Sequence, residues 1–206
     1  MHAVNFVVGV VGTLASGKST ACKILQAEGV TYFNADQLAR TLLEPPSTLL
    51  DTLIQHFGPQ YLLPNGQLDR LALRQRLCVD LDSKKFLEET LHPPIRAQLK
   101  KYIEEKYYHP YVIIEISVFY DRSQYSYIDR ILCITSPLEQ QIQRASQRDQ
   151  RPEFEIQQLL SRQASTEQLQ SYADDIVQND STLSIFTKKI RNIHQRYLQL
   201  AQLKSS

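Results

Sequence analysis

Short, unbroken apolar runs alternate along the chain with stretches in which apolar residues recur every three or four positions. Runs of this kind, rich in valine and isoleucine, are the pattern of strands buried on both faces of a parallel sheet, and the helical stretches between them are the crossovers that join such strands. The runs predict strands over 6–11, 30–33, 111–116 and 130–134, with a short one over 175–177. The expected fold class is α/β, a five-stranded parallel sheet flanked by helices. The long stretch between the second and third strands carries no convincing strand. It is punctuated by Pro45-Pro46, Pro64-Asn65-Gly66 and Pro93-Pro94, each a turn signal, and it reads as a helical insert. Its last helix is expected to begin near Pro94, with Ile95, Leu99, Ile103 and Tyr107 on one face and Arg96, Lys100, Lys101, Glu104 and Glu105 on the other.

After the fourth strand, Ser136-Pro137-Leu138-Glu139 has the form of a capping box with proline at the first helical position. The helix it predicts runs through Ile142 to Arg148, breaks over 149–152 and resumes from Glu153 to about Gln163. A helix, polar break and second helix suit a movable lid. From Ser181 onward, Leu183, Phe186, Ile190, Ile193, Tyr197 and Leu200 mark a final helix docked on the body. That tail has no acidic residue, which would suit a nucleic-acid surface, but cations opposite an apolar stripe are the ordinary solvated face of a docked helix. The expected organisation is a nucleotide-binding core made of 1–36, 108–143 and 173–206, an insert over 37–107 and a lid over 144–172.

The candidate chemistry begins directly after the first strand. Gly12-Thr13-Leu14-Ala15-Ser16-Gly17-Lys18-Ser19 satisfies GxxxxGK[ST] at each fixed position, between an apolar strand and a helical pattern. A loop that wraps a triphosphate must turn backbone N–H groups inward, which needs glycine at unusual dihedrals, and it must feed a helix whose positive end meets the anion. Lys18 is then expected at the β- and γ-phosphates and Ser19 on Mg²⁺, with Gly12, Ala15, Ser16, Gly17 and Thr20 completing the nucleotide contacts. The dinucleotide fingerprint GxGxxG is not supplied by the glycines at 9, 12 and 17, so hydride transfer is disfavoured.

If the first two strands are parallel neighbours, Asn34-Ala35-Asp36 reaches the same sheet edge as the phosphate loop. Asp36 is there a candidate general base for an acceptor hydroxyl and equally the N-cap of a helix over 37–43; the two roles are compatible. Arg144 and Arg148 lie one helical turn apart at the entrance to the lid, with Arg151 beyond, as cations for the transferring phosphoryl group or as solvated helix arginines. His92, before proline, reads either as a phosphate donor held in extended backbone or as the cap of the helix starting near Pro94.

Charge and cysteine content narrow the class. Lys plus Arg total 23 and Asp plus Glu 22, a formal charge of +1, so no global field steers the chain to nucleic acid or an acidic membrane. Cys22, Cys78 and Cys133 are far apart and odd in number, which points to reduced thiols and not to a disulfide framework or zinc site. His2, His56, His109 and His194 show no ligand spacing. The apolar run over 6–11 is too short for a signal or membrane segment, and Glu115 interrupts the run over 111–120. The expectation is a cytoplasmic protein without membrane, nucleic-acid or obligate protein partner.

Several further pieces together resemble one family: the loop 12–19, Ala35-Asp36 with Ala39-Arg40, His56-Phe57-Gly58, Asp69-Arg70 with Leu73-Arg74, Leu91-His92-Pro93 with Ile95, the stretch 144–149, Gln163, and Ala173-Asp174-Asp175 leading to Asn179. In this order they resemble the dephospho-coenzyme A kinases, P-loop kinases related to nucleotide monophosphate kinases, over 6–183. The resemblance implies ATP- and Mg²⁺-dependent phosphorylation of the 3′-hydroxyl of dephospho-CoA. It implies Asp36 as general base, the insert holding the CoA portion through residues such as Arg40 and His92, Phe119 at the acceptor pocket, Asn179 near adenine, and Glu115 holding Mg²⁺ through a water. The chain departs from the family pattern at Thr13, where a second glycine is usual, at Asn34, where an aspartate is usual, and at Glu115-Ile116-Ser117-Val118-Phe119, where Asp-x-Pro-Leu-Leu is usual. A kinase for another small acceptor, such as a nucleoside monophosphate or a sugar acid, and a nucleotide-hydrolysing switch are the alternative readings.

Overall fold

Five apolar segments form one all-parallel sheet: β1 (Val7–Val11), β2 (Thr31–Asn34), β3 (Val112–Glu115), β4 (Arg130–Thr135) and β5 (Asp175–Gln178), in the order β2-β3-β1-β4-β5. The computed structural model describes residues 5–105, 108, 110–119 and 121–205; Tyr107, His2 and His109 lie outside them, as does the side chain of Cys78. The expected adjacency of the first two strands is corrected: β3 lies between β1 and β2, with Val10 and Asn34 both in register with Glu115. Because every strand is parallel, the C-terminal ends of β1, β2 and β3 still share one sheet edge.

The chain divides into two compact units, one of residues 1–34 and 102–206 and the other of 35–101. In the first unit, every residue of β1 is buried, as a central strand covered on both faces must be. One face packs Val8, Val10, Ile113, Leu132 and Ile134 against Ala21, Cys22 and Leu25 of α1 (Lys18–Ala27) and Phe186, Ile190 and Tyr197 of α9 (Leu183–Ser205). Asp175 ties α9 to the sheet: it accepts from Arg130 at 2.8 Å, from Arg196 at 2.5 Å and from the Tyr197 hydroxyl at 3.0 Å. The first unit also carries α6 (Leu138–Asp149), α7 (Glu153–Ser161) and α8 (Thr166–Tyr172). The break between α6 and α7 is made by Gln150, whose φ of 51° places it in the left-handed region at the α6 C-terminus.

The second unit is helical: α2 (Ala35–Leu42), α3 (Thr48–Phe57), α4 (Arg70–Val79) and most of α5 (Leu81–Glu105). Leu43, Leu50, Leu53, Phe57, Leu68 and Leu73 form its core, with Phe86, Leu87 and Leu91 packed on it. Three expectations change here and beside it. Pro93 and Pro94 do not make a turn; they lie inside the continuous α5, so His92 is neither extended nor a helix cap. Helix α2 begins at Ala35, immediately after β2, so Asp36 is a first-turn residue and not the N-cap. The capping box at Ser136 is not formed: the N-cap of α6 is Pro137, without a side-chain cap bond, because the Ser136 hydroxyl donates to the Asn179 carbonyl at 2.8 Å.

Candidate active site

The loop between β1 and α1 is built by backbone that only small residues permit. Gly17, at φ 111°, is the N-cap of α1, and a Cβ there would collide with the Asn179 side-chain amide. A Cβ on Gly12 would run into the Ile134 carbonyl. The third positive φ of the loop belongs to Ala15, at 56°; Thr13 is not among them. Thr13, where the resemblance expected glycine, is instead 7% exposed, and its hydroxyl donates to Gln141 Oε1 at 2.6 Å. Gln141 Nε2 in turn donates to the Ser136 carbonyl at 2.6 Å, which fastens the loop to α6.

Two further side chains brace the loop. Asn179 Nδ2 donates to the Ser16 carbonyl at 2.9 Å, and Gln163 Oε1 accepts from the Leu14 N–H at 2.8 Å. Leu14 and Ala15 also pack against a small apolar cluster of Ile142, Ala145 and Ile156 from α6 and α7. Lys18, buried to 8% exposure, places its ammonium 2.9 Å from both the Gly12 and the Thr13 carbonyl oxygens. The Ser16 hydroxyl is buried and has no hydrogen-bond partner among the described residues. Thr20 lies exposed in the first turn of α1.

Ser19 faces β3. Its hydroxyl donates to Glu115 Oε1 at 2.6 Å, and Glu115 is only 3% exposed. The other carboxylate oxygen, Oε2, accepts from Asn34 Nδ2 at 3.0 Å and from the Tyr32 hydroxyl. Burial, followed by the bond to Glu115, pushes the Tyr32 phenol above its ordinary range, so it remains a neutral donor. A carboxylate and a hydroxyl together are hard oxygen ligands, the donor chemistry Mg²⁺ takes when substrate phosphates supply the rest. Among the described residues no group of three or more His, Cys, Asp and Glu could hold a metal ion, so the pair is not an all-protein cage.

The arginines expected on the phosphates each have local partners. Arg144 donates to the Ser136 hydroxyl at 3.0 Å and to Gln140 Oε1 at 2.8 Å, while the exposed Arg148 forms a two-point pair with Asp149 at 2.8 and 2.9 Å. Phe119 is buried, stacked on Tyr125 with ring centroids 5.3 Å apart and edge-on to Tyr172.

The second unit holds Asp36 and Arg40, both exposed, and the half-buried His92. Burial pulls the His92 imidazole below its ordinary value; the carboxylates of Glu88 and Asp36 oppose that shift and Arg96 reinforces it. Arg40 has a second guanidinium beside it, Arg70, which donates to the Arg40 carbonyl at 3.4 Å. Burial, and then the charge of Arg40, lower the Arg70 guanidinium below its ordinary value, with Glu44 opposing.

Tyr32 and Gln141 are site residues that sequence reasoning missed. The only signal for Gln141 was a polar residue on the buried side of α6, next to Ile142; for Tyr32 it was a position two residues before Asn34 on the same strand face. The two cysteines whose side chains are described, Cys22 and Cys133, are free and buried. Burial raises both thiols, Cys133 to about 11, which removes the thiolate that redox chemistry needs.

Comparison with known proteins places these features in context. A family model described as dephospho-CoA kinase matches residues 6–184. The chain is 35% identical to the dephospho-CoA kinase of Idiomarina loihiensis, covering 94% of this chain and 96% of that one. It is 36% identical to that of Hahella chejuensis, covering 96% and 95%. Among solved structures it is similar to a dephospho-CoA kinase from Campylobacter jejuni, with a TM-score of 0.68, 25% identity and coverage of 94% and 97%. A Thermus thermophilus protein, TT1252, shares the fold with a TM-score of 0.77 at 24% identity, covering 94% and 98%.

Proposed function

The chain belongs to the dephospho-CoA kinase family, and from that premise we propose that it transfers the γ-phosphate of ATP to the 3′-hydroxyl of dephospho-CoA, giving coenzyme A and ADP. The observation that carries the reading is the loop 12–19 itself, with α1 starting at Lys18 and the Ser19 hydroxyl 2.6 Å from Glu115. The loop presents its backbone and the positive end of α1 to the triphosphate, and the partnerless Ser16 hydroxyl gives an anion a further donor.

Lys18 places a cation at the oxygens of the transferring group, where charge spreads in the transition state. Asp36 takes the proton of the acceptor hydroxyl as its oxygen attacks phosphorus; it follows Asn34 by two residues, and Asn34 ends the strand paired with β3 at Glu115. Mg²⁺, when bound, neutralises charge on the β- and γ-phosphate oxygens, and Ser19 and Glu115 are the residues that would hold it. Arg40, Arg70 and His92, in the helical insert, bind the anionic part of the acceptor. The segment 144–172 acts as the lid, closing Arg144 and Arg148 on the nucleotide once Arg148 exchanges Asp149 for phosphate. Asn179, fixed against the Ser16 carbonyl, lines the nucleotide side, and Phe119 backs the acceptor loop by packing.

No described helix is long and apolar enough to cross a membrane. The reading is tested by incubating the protein with ATP, Mg²⁺ and an acceptor panel of dephospho-CoA, nucleoside monophosphates and sugar acids. Coenzyme A formation with the highest kcat/KM for dephospho-CoA is the expected result. Phosphate release without transfer, or preference for another acceptor, overturns the acceptor assignment.

A further inference from the structure

Glu115 is held at both carboxylate oxygens, and the two ends serve different partners. Oε1 accepts from Ser19 on α1 at 2.6 Å, whereas Oε2 accepts from Tyr32 and from Asn34 at 3.0 Å, both on β2. Asn34 Nδ2 also donates to the Tyr32 hydroxyl oxygen at 3.0 Å, so the two β2 side chains form a unit. Tyr32 and Asn34 are two residues apart and therefore share a face of the strand, and Asn34 is the register partner of Glu115.

A glutamate has three side-chain torsions. Anchored at Oε1 alone, it could swing its carboxylate about the Ser19 contact and present either oxygen. With Oε2 already engaged by two donors, only Oε1 is left for Ser19 and for whatever cation Ser19 meets.

We propose that Tyr32 and Asn34 are positioning residues that clamp Oε2 of Glu115, so that Oε1 stays aimed at Ser19 and the nucleotide's cation meets a rigid oxygen pair. The inference rests on the reading of Ser19 and Glu115 as the Mg²⁺-holding residues. Rigidity here has a chemical consequence. Mg²⁺ demands near-ideal octahedral geometry at about 2.0–2.1 Å, whereas Ca²⁺ tolerates irregular shells at about 2.3–2.6 Å. Loosening the clamp therefore weakens Mg²⁺ more than Ca²⁺.

The test measures metal binding, not turnover. Mg²⁺ and Ca²⁺ are titrated calorimetrically into protein carrying a non-hydrolysable ATP analogue, for wild type, Tyr32→Phe, Glu115→Gln and the double variant. Loss of the outer partner of a metal ligand typically costs roughly 10–100-fold in affinity. Tyr32→Phe is expected to lose Mg²⁺ affinity in that range, to lose less for Ca²⁺, and to keep its affinity for the analogue without metal. In the Glu115→Gln background the same change is expected to add nothing, because the clamp then has no carboxylate to hold. Asn34→Ala, which removes the second donor, is expected to shift the Mg²⁺/Ca²⁺ ratio in the same direction and serves should Tyr32→Phe fold poorly.

Mg²⁺ affinity within twofold of wild type in both single β2 variants, or additive effects of Tyr32→Phe and Glu115→Gln, overturns the proposal. No acceptor is present, so an error in the acceptor assignment leaves these results untouched. Metal affinity of the Glu115→Gln variant equal to that of wild type would instead overturn the metal-site reading beneath it.

Discussion

Lys18 holds a buried ammonium against two carbonyl oxygens of its own loop. Lys18→Ala is expected to lower phosphoryl transfer by roughly 10²-fold or more, since it removes a cation from oxygens that gain charge in the transition state; steady-state kinetics with saturating ATP measure this. Wild-type turnover in that variant would mean that the loop does not cradle the triphosphate. At the same scale, the sequence made the loop legible because each fixed position answers a steric demand: a Cβ at 12 or 17 has no room. It did not make Thr13 legible, because the hydroxyl's partner, Gln141, is far away in sequence and no local pattern announces it. Glu115 stands where the family pattern has aspartate, and its carboxylate accepts directly from the Ser19 hydroxyl, a contact that no local pattern announces.

Elements were read well where periodicity is strong and poorly where tertiary packing overrides a local rule. All five strands and the long final helix lie where apolar spacing put them. The helix α8 is not marked by apolar spacing, being about two mostly polar turns capped by Ser165. Pro93 and Pro94 lack N–H groups, so the carbonyls of Glu89 and Thr90 lose their usual helical partners, yet α5 continues. Burial of Ile95 and Leu99 beyond the prolines stabilises the helix in spite of that loss. The failed capping box has a similar cause, since Ser136 is drawn to Asn179 and Arg144 and is thus part of the loop's support. Gln141→Ala tests that support: it leaves the buried Thr13 hydroxyl without its acceptor, at a cost of about 1–3 kcal/mol in unfolding free energy. A rise in KM for ATP is expected alongside, and the loss in stability is expected to shrink when Thr13→Ala is added. Additive effects in chemical denaturation would show that the two side chains do not act as a pair.

The whole molecule couples a rigid parallel sheet to groups whose burial makes it sensitive to acid. His194, on α9, is 5% exposed and lies 2.9 Å from the Tyr111 hydroxyl, and its imidazole is lowered by burial, with Glu28 opposing. A lowered histidine binds fewer protons folded than unfolded, so stability is full above the unfolded value near 6.5 and falls as pH drops toward the folded one. The unfolding free energy is therefore expected to decline below about pH 6.5, with a slope no steeper than about 1.4 kcal/mol per pH unit from this group, and the melting temperature to fall with it. His194→Asn should flatten that decline; an unchanged pH profile would remove His194 from the account. Strand order was the feature of the whole molecule that the sequence hid, because an apolar run records burial and not which neighbour supplies it. The parallel sheet nevertheless keeps the C-terminal ends of β1, β2 and β3 at one edge, since a shared C-terminal edge does not depend on adjacency.

In the proposed reaction the loop 12–19 holds ATP while Asp36 deprotonates the acceptor. It is tested most directly by comparing wild type and Asp36→Asn for ATP affinity and for single-turnover formation of coenzyme A from dephospho-CoA. The variant is expected to keep an ATP Kd close to wild type and to transfer phosphate more slowly by roughly 10²- to 10⁴-fold. Transfer at the wild-type rate in Asp36→Asn would contradict that role for Asp36.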